Sequence, residues 1–211
     1  MKKKPSLLVI GNSNVGKSSI TKLLLPNPKE YKGKTGKKPG STLLIRPITQ
    51  DRLPYSIIDL PGFGYMKASS KRREEHIKQE IVKHIEKHHK NYFFALVVLN
   101  ILRIEDELSK YFIEDKTTIP LSFELITFLK EFEIPLIVII NKIDKVSKYD
   151  EERIINLLVN SARNYNLNLV KYSNFIYNME IELPYLKFSA LKKTNLGKLK
   201  QIIQQYLQKY R

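Results

Sequence analysis

Leu7-Leu8-Val9-Ile10-Gly11-Asn12-Ser13-Asn14-Val15-Gly16-Lys17-Ser18 sets an aliphatic run directly ahead of the pattern G-x-x-x-x-G-K-[ST]. A short continuous apolar run that stops at a glycine reads as a strand buried on both faces. The segment after Gly16 reads as the start of a helix. In that context the pattern is a phosphate-binding loop. Its glycines let backbone N–H groups turn toward a pyrophosphate, and the helix N-terminus adds positive potential. Lys17 reaches the β- and γ-phosphates and Ser18 is placed to ligate Mg2+. An ordinary glycine-rich turn requires neither Lys17 nor Ser18.

Outward from this stretch, Ser56 to Ile58, Phe93 to Leu99 and Leu136 to Ile140 are further strands, and Tyr185 to Phe188 is strand-like. They alternate with helical segments starting near Gly16, Lys71, Leu121, Asp150 and Asn195. In the second of these, Ile77, Ile81 and Ile85 form the core stripe. Alternation of this kind predicts an α/β fold in three layers, a mostly parallel sheet with helices on both faces. Leu43 to Ile48 can pair with Tyr55 to Asp59 as an antiparallel edge. Pro26 to Gly40 carries Pro26, Pro28, Gly33, Gly36, Pro39 and Gly40, turn chemistry without an apolar face, and is expected to be a mobile loop. At 211 residues, one domain over 1–211 is expected. The segment Glu105 to Lys116, within about 101–119, reads as an insertion between strand and helix, and the sequence assigns it no role.

A phosphate loop alone does not separate an ATPase, a nucleotide kinase and a GTPase. Asn141-Lys142-Ile143-Asp144 does, because it follows a buried strand at the sheet edge where such folds bind ligands. Asp144 there can pair with guanine N1–H and the 2-amino group, a donor pair that adenine lacks. Asp59-Leu60-Pro61-Gly62 fits D-x-x-G, whose carboxylate holds a Mg2+-bound water and whose glycine N–H meets the γ-phosphate. Thr42 is the candidate second hydroxyl ligand to Mg2+, withdrawn when the γ-phosphate leaves. Ser189-Ala190 would complete the base pocket through a backbone N–H. The groups that would act on the phosphate are Lys17, Thr42 and Gly62.

Lys and Arg number 37 against 21 Asp and Glu, a net charge of +16 that favours an anionic macromolecule. Cysteine is absent, which removes disulfides and thiolate metal sites and permits a reducing compartment. The apolar run Tyr92 to Leu99 is far short of the ~20 residues of a membrane helix, and Leu7 to Ile10 is too short for a signal peptide. No membrane partner is expected, and the absence of a C-terminal cysteine excludes prenylation. Lys29, Lys32, Lys34, Lys37 and Lys38 lie in the first candidate switch, and Lys67, Lys71, Arg72 and Arg73 after the second. From Lys187 to Arg211 there are seven Lys or Arg and no acid, which makes the last helix a further candidate face for RNA phosphates. His84 and His88 have metal-pair spacing without an evident third ligand. Tyr206 and Tyr210 could stack on bases, but Ile202 on the same face favours core packing.

The order of these motifs is similar to that of the translation-factor-related GTPases. Ser13 to Ser19, Pro39-Gly40-Ser41-Thr42, Asp59 to Tyr65 and the run Phe128 to Asp144 resemble the EngB (YihA/YsxC) family from Gly11 to near Lys200. Gly33-Lys34 through Pro39-Gly40, Met66 and the longer segment before Ile119-Pro120 are closest to its archaeal branch. The resemblance implies one GTPase domain with a six-stranded mixed sheet, GTP/GDP and Mg2+ as ligands, and switches at about 26–42 and 60–73. By position its nucleotide contacts fall on Gly11, Asn12, Ser13, Asn14, Val15, Gly16, Lys17 and Ser18, then on Gly40, Ser41, Thr42, Leu43 and Leu44. They continue on Asp59, Leu60, Pro61 and Gly62, on Asn141, Lys142, Ile143 and Asp144, and on Ser189 and Ala190. Its Mg2+ ligands fall on Ser18 and Thr42. In bacterial members it also implies a role in assembly of the large ribosomal subunit, with ribosomal RNA or a pre-ribosomal particle as the expected partner; older family descriptions speak of cell division and septation, and a cytoplasmic monomer is expected.

Departures from related proteins bear on mechanism. Phe63 stands where many regulatory GTPases carry a water-positioning glutamine, so slow intrinsic hydrolysis is expected. Asn14 either holds a K+ ion that supplies charge to the reaction or stabilises the loop. Asn12 replaces an arginine common in bacterial members, and Leu191 a lysine. Two other functions fit the same motifs: a nucleotide-sensing RNA-binding module with negligible hydrolysis, and a regulatory GTPase directed at proteins.

Overall fold

Along β1 (Ser6–Ile10) every residue is buried, and the pleat sends its side chains alternately to two separate cores. Leu8 and Ile10 join one cluster and Leu7 and Val9 the other. The same holds for β3 (Tyr92–Asn100) and β4 (Leu136–Asn141), which is why these strands read as unbroken apolar runs. The computed structural model describes residues 4–31, 45, 47–62, 71–110, 119–176 and 182–210. Its sheet has six strands in the order β2-β1-β3-β4-β6-β5, with β2 at Ser56–Asp59, β5 at Asn168–Lys171 and β6 at Glu182–Lys187. All pairs among these strands are parallel.

One face is covered by α2 (Lys71–His88), α3 (Ile101–Ser109), α4 (Leu121–Glu131) and α5 (Lys148–Arg163), which deliver Ile77, Ile81, Ile104, Phe123, Ile126, Ile154 and Leu158 to the core. The other is covered by α1 (Lys17–Leu24) and α6 (Leu196–Tyr210), through Ile20, Leu24, Leu199, Ile202 and Ile203. Helix starts follow local capping chemistry. Ser147 Oγ accepts the Asp150 N–H at 3.1 Å, so α5 begins two residues before Asp150. Asn100 Oδ1 accepts the Leu102 N–H at 3.2 Å and opens α3.

The three-layer α/β architecture agrees with the expectation, and four details differ. The sixth strand is β5, a half-exposed Asn-Leu-Val-Lys edge with too few apolar residues to stand out in sequence. The expected antiparallel edge contributes one bridge, Ile48 to Ile57, while residues 43, 44 and 46 lie outside the described residues. Sheet pairing among the named strands is therefore parallel throughout rather than mixed. The supposed insertion starts with a true helix, α3, whose Ile101, Ile104 and Leu108 are buried; its acidic residues disguise an apolar stripe at helical spacing. Residues 111–118 lie outside the described residues. Among the described residues no helix is long and apolar enough to cross a membrane.

Candidate functional site

Parallel pairing sets the carboxyl ends of β2, β1, β3, β4 and β6 along one edge of the sheet, and the expected motifs emerge there. β1 runs into the Gly11 loop, β2 ends on Asp59, β4 ends on Asn141 and β6 leads into Ser189.

The phosphate loop turns through left-handed backbone at Asn14 (φ 62°) and Gly16 (φ 105°). Gly16 caps α1 without a side-chain hydrogen bond, so the first-turn N–H groups are left for an anion. A Cβ on Gly16 would stand 2.2 Å from Asn141 Nδ2 and would have to displace that amide, on backbone that strains any side chain. Lys17 is buried, and its Nζ donates to the carbonyls of Gly11 at 2.9 Å and Asn12 at 2.8 Å. Burial pulls the Lys17 ammonium down to about 8, against the attraction of Asp59. An anionic ligand would restore what burial removes.

Asn141 staples three loops together. It is almost fully buried; its Nδ2 donates to the Val15 carbonyl at 2.8 Å and its Oδ1 accepts the Ala190 N–H at 3.1 Å. Lys142, itself at φ 68°, donates from Nζ to the Asn14 carbonyl at 2.7 Å. Burial, reinforced by Arg103, lowers the Lys142 ammonium against the pull of Asp144. Ile143 donates its N–H to the Phe188 carbonyl at 3.3 Å. Asp144 Oδ1 accepts from the Ser189 hydroxyl at 2.5 Å, and that hydroxyl accepts the Lys192 N–H at 3.0 Å. Residues from three distant stretches thus form one wall. The Ala190 N–H expected to meet a base is engaged by Asn141, and reaches a base oxygen only by sharing or leaving that bond.

On the phosphate side, Leu60 donates its N–H to the Val9 carbonyl at 3.0 Å and carries Pro61-Gly62 up against the loop. A Cβ on Gly62 would lie 2.6 Å from Ser13 Cα, so the fourth position of D-x-x-G is glycine for lack of room. Asp59 is largely buried; burial pushes its carboxyl up, while the Tyr31 hydroxyl, the Lys17 charge and the Ser18 hydroxyl pull it down. Asp59 Oδ1 and Thr21 Oγ1 make no hydrogen bond of ordinary geometry among the described residues, although the Thr21 hydroxyl is near enough to lower the carboxyl as well. Gly40, Ser41, Thr42, Leu43 and Leu44 lie outside the described residues, as does Phe63.

Two residues of the site escaped the sequence reading. Tyr31 donates its hydroxyl to Asp59 Oδ2 at 2.7 Å, and burial together with that carboxylate raises the phenol. A lone aromatic in a loop of turn residues was the available signal. Glu107 of α3 accepts from Asn12 Nδ2 at 3.3 Å with one oxygen and from the Ser122 N–H at 3.1 Å with the other. The unassigned segment therefore braces the phosphate loop against the start of α4. His84 and His88 pack ring to ring at 4.7 Å, and no group of three or more His, Cys, Asp or Glu able to hold a metal occurs among the described residues.

Known proteins resemble the chain in sequence and in fold. Residues 6–142 match the family model described as 50S ribosome-binding GTPase. A "probable GTP-binding protein EngB" of Pyrococcus horikoshii is 33% identical over 198 residues, covering 94% of this chain and 82% of that protein. Its counterpart in Methanococcus aeolicus is 33% identical over 159 residues, covering 75% of this chain and 66% of that protein. A crystal structure of an EngB protein superposes with a TM-score of 0.75 at 33% identity, covering 97% of this chain and 99% of the other. Era, solved with a magnesium-bound GTP analogue and a piece of 16S ribosomal RNA, shares the fold at a TM-score of 0.59 and 20% identity over 98% of this chain and 57% of its own. On that family match and on relatives at 33% identity over most of their length, the chain belongs to the EngB family of P-loop GTPases.

Proposed function

We propose that this protein is a Mg2+-dependent GTP switch whose GTP form binds the large ribosomal subunit or its precursor in the cytoplasm, and whose GDP form, reached by slow hydrolysis, releases it. The observation that carries the nucleotide half is the Asn141 staple, which holds the base-reading Asp144 and Ser189-Ala190 at a fixed place against the phosphate loop. The ribosomal half rests on membership of a family described as ribosome-binding and on the basic charge.

Asp144 would accept from guanine N1–H and the 2-amino group, while backbone N–H groups of the loop and Lys17 hold the phosphates. The donor set suits Mg2+: a serine hydroxyl and a buried carboxylate oxygen without a partner are hard oxygen groups at the same place. Ser18 and Thr42 would ligate the ion and Asp59 would hold one of its waters. Bound there, Mg2+ supplies positive charge to the β- and γ-phosphate oxygens. Gly62 N–H would contact the γ-phosphate and report its loss. Asn14, exposed with left-handed backbone, is the candidate K+ ligand.

Single-turnover GTP hydrolysis with and without large ribosomal subunits, in KCl and in NaCl, tests this reading. The expected result is a slow basal rate that subunits or K+ raise at least about ten-fold. A negligible rate under every condition would instead fit an RNA-binding module that senses nucleotide.

Tyr31 bears on the metal step. Asp59 Oδ1 is free to hold a metal-bound water, and the Tyr31 hydroxyl on Oδ2 competes with it for the carboxylate charge; a hydrogen bond to a charged group is worth about 1.5–3 kcal/mol. Tyr31→Phe is therefore expected to slow release of labelled GDP in saturating Mg2+ roughly ten-fold and to leave release in a chelator unchanged. Equal changes under both conditions would show that Tyr31 acts on loop packing and not on the metal.

A further inference from the structure

Of the aromatic pair that the last helix suggests for base stacking, only Tyr210 is exposed. Tyr206 is buried and stacks flat on Phe94 with centroids at 3.9 Å, and Tyr210 ties its hydroxyl to the Lys90 carbonyl at 2.7 Å. At the β5 edge of the sheet, far in strand order from the phosphate loop on β1, another pair is presented. Tyr172 and Phe175, on the turn after β5, lie with centroids at 6.3 Å and planes 28° apart. Together with Gln205, Tyr206, Gln208 and Lys209 of α6, they line an open cleft of about 460 Å³. Gln205 Oε1 accepts the Tyr172 hydroxyl at 3.0 Å, which fixes the ring, and Lys198 Nζ sits 5.4 Å from that ring's centroid.

The lining is three aromatic rings, two neutral amides and one cation, with further cations nearby. Lys171, Lys198 and Lys209 are exposed around it, and the outward face of α6 (Lys198, Lys200, Gln201, Gln204, Gln205, Gln208) carries lysine and glutamine with no acid. An acidic peptide is best met by several cations inside a pocket, whereas this cleft offers one, Lys209, among three aromatic rings and two glutamines. An unpaired nucleobase instead offers a π-face for the rings and edge donors and acceptors for the glutamines, with its phosphates reaching the rim lysines. We propose that the Tyr172–Phe175 cleft binds an unpaired nucleotide of single-stranded RNA, stacking its base on the aromatic pair while Lys198 and Lys209 hold the adjoining phosphates. This rests on the ribosomal reading above and deepens it: the cleft, far in strand order from the phosphate loop, adds a base-stacking contact to those that the GDP form gives up.

The test is fluorescence anisotropy of the full chain, loaded with GDP, against a labelled single-stranded RNA octamer and a blunt RNA duplex of equal charge, at physiological salt. The expected result is tighter binding of the single strand. Y172A and F175A should each weaken it about ten-fold and leave duplex binding within about two-fold. Y172F, which keeps the ring, should retain wild-type binding. GDP affinity measured on the same preparations establishes that each variant is folded. If the wild type binds single strands and both alanine variants match it, the cleft is not the site while the RNA reading stands. If polyglutamate of equal charge competes as well as the RNA, the surface reads charge alone and the cleft proposal falls. If the wild type binds neither RNA, the ribosomal reading and this inference fall together.

Discussion

Asp144→Asn is expected to lower GTP affinity by at least about a hundred-fold and to confer binding of xanthosine triphosphate. The side chain is 9% exposed, with Oδ1 held by the Ser189 hydroxyl and Oδ2 3.8 Å from Lys145 Nζ. Asparagine keeps an oxygen to accept from Ser189, so the wall stays standing. The other oxygen becomes an NH2 donor facing the guanine N1–H, and two donors meet where a pair was needed. Xanthine presents an oxygen in place of the 2-amino group and accepts from that donor. Competition of both nucleotides against labelled GDP reads the effect. Unchanged GTP affinity and selectivity would mean that Asp144 does not read the base.

Asn141→Ala should be the most damaging single change at the wall. It removes the bonds to the Val15 carbonyl and the Ala190 N–H and leaves both groups unpaired at a site where the wild-type side chain is 1% exposed. Each stranded group costs about 1–3 kcal/mol, so stability should fall by about 2–6 kcal/mol and the thermal midpoint by roughly 4–24 °C. GDP affinity should fall with it, because the phosphate loop and Ser189-Ala190 lose their common anchor. A calorimetric scan with and without GDP separates the two losses. A shift under about 2 °C with full GDP affinity would show that the loops hold their places without the staple.

What could be read in the sequence follows from where the information sits. β1, β3 and β4 are legible because burial on both faces writes itself as a continuous apolar run, and the loop motifs are legible because their spacing is local. β5 is not, because an edge strand of four residues with one fully buried side chain looks like a loop. α3 hid behind its acids, which turn outward or serve as partners: Glu105 pairs with Arg153 of α5, and Glu107 braces Asn12. Partners across the chain leave no local trace. Asn12 and Glu107 are 95 residues apart, Tyr31 and Asp59 are 28 apart, and Asn141 meets Val15 across 126. The motif predicts that Asn141 is needed, and only the fold explains it as the member joining the base wall to the phosphate loop.

The same division applies to the basic charge. Sequence counts it and places much of it near the switches, but the stretches 32–44 and 63–70 lie outside the described residues, so the surface that can be argued in atoms is that of α6 and β5. There the lysines surround π-faces and amides, an arrangement that a charge-only, solvated surface has no reason to build.

Sedimentation of the purified chain with large ribosomal subunits, in a non-hydrolysable GTP analogue, in GDP and without nucleotide across a salt series, tests the central claim most directly. The account predicts salt-sensitive cosedimentation that is strong with the analogue and much weaker with GDP, since phosphate-borne contacts released by salt would be gated by the two switches. Equal binding in all three states at physiological salt, or no binding in any of them, would contradict it.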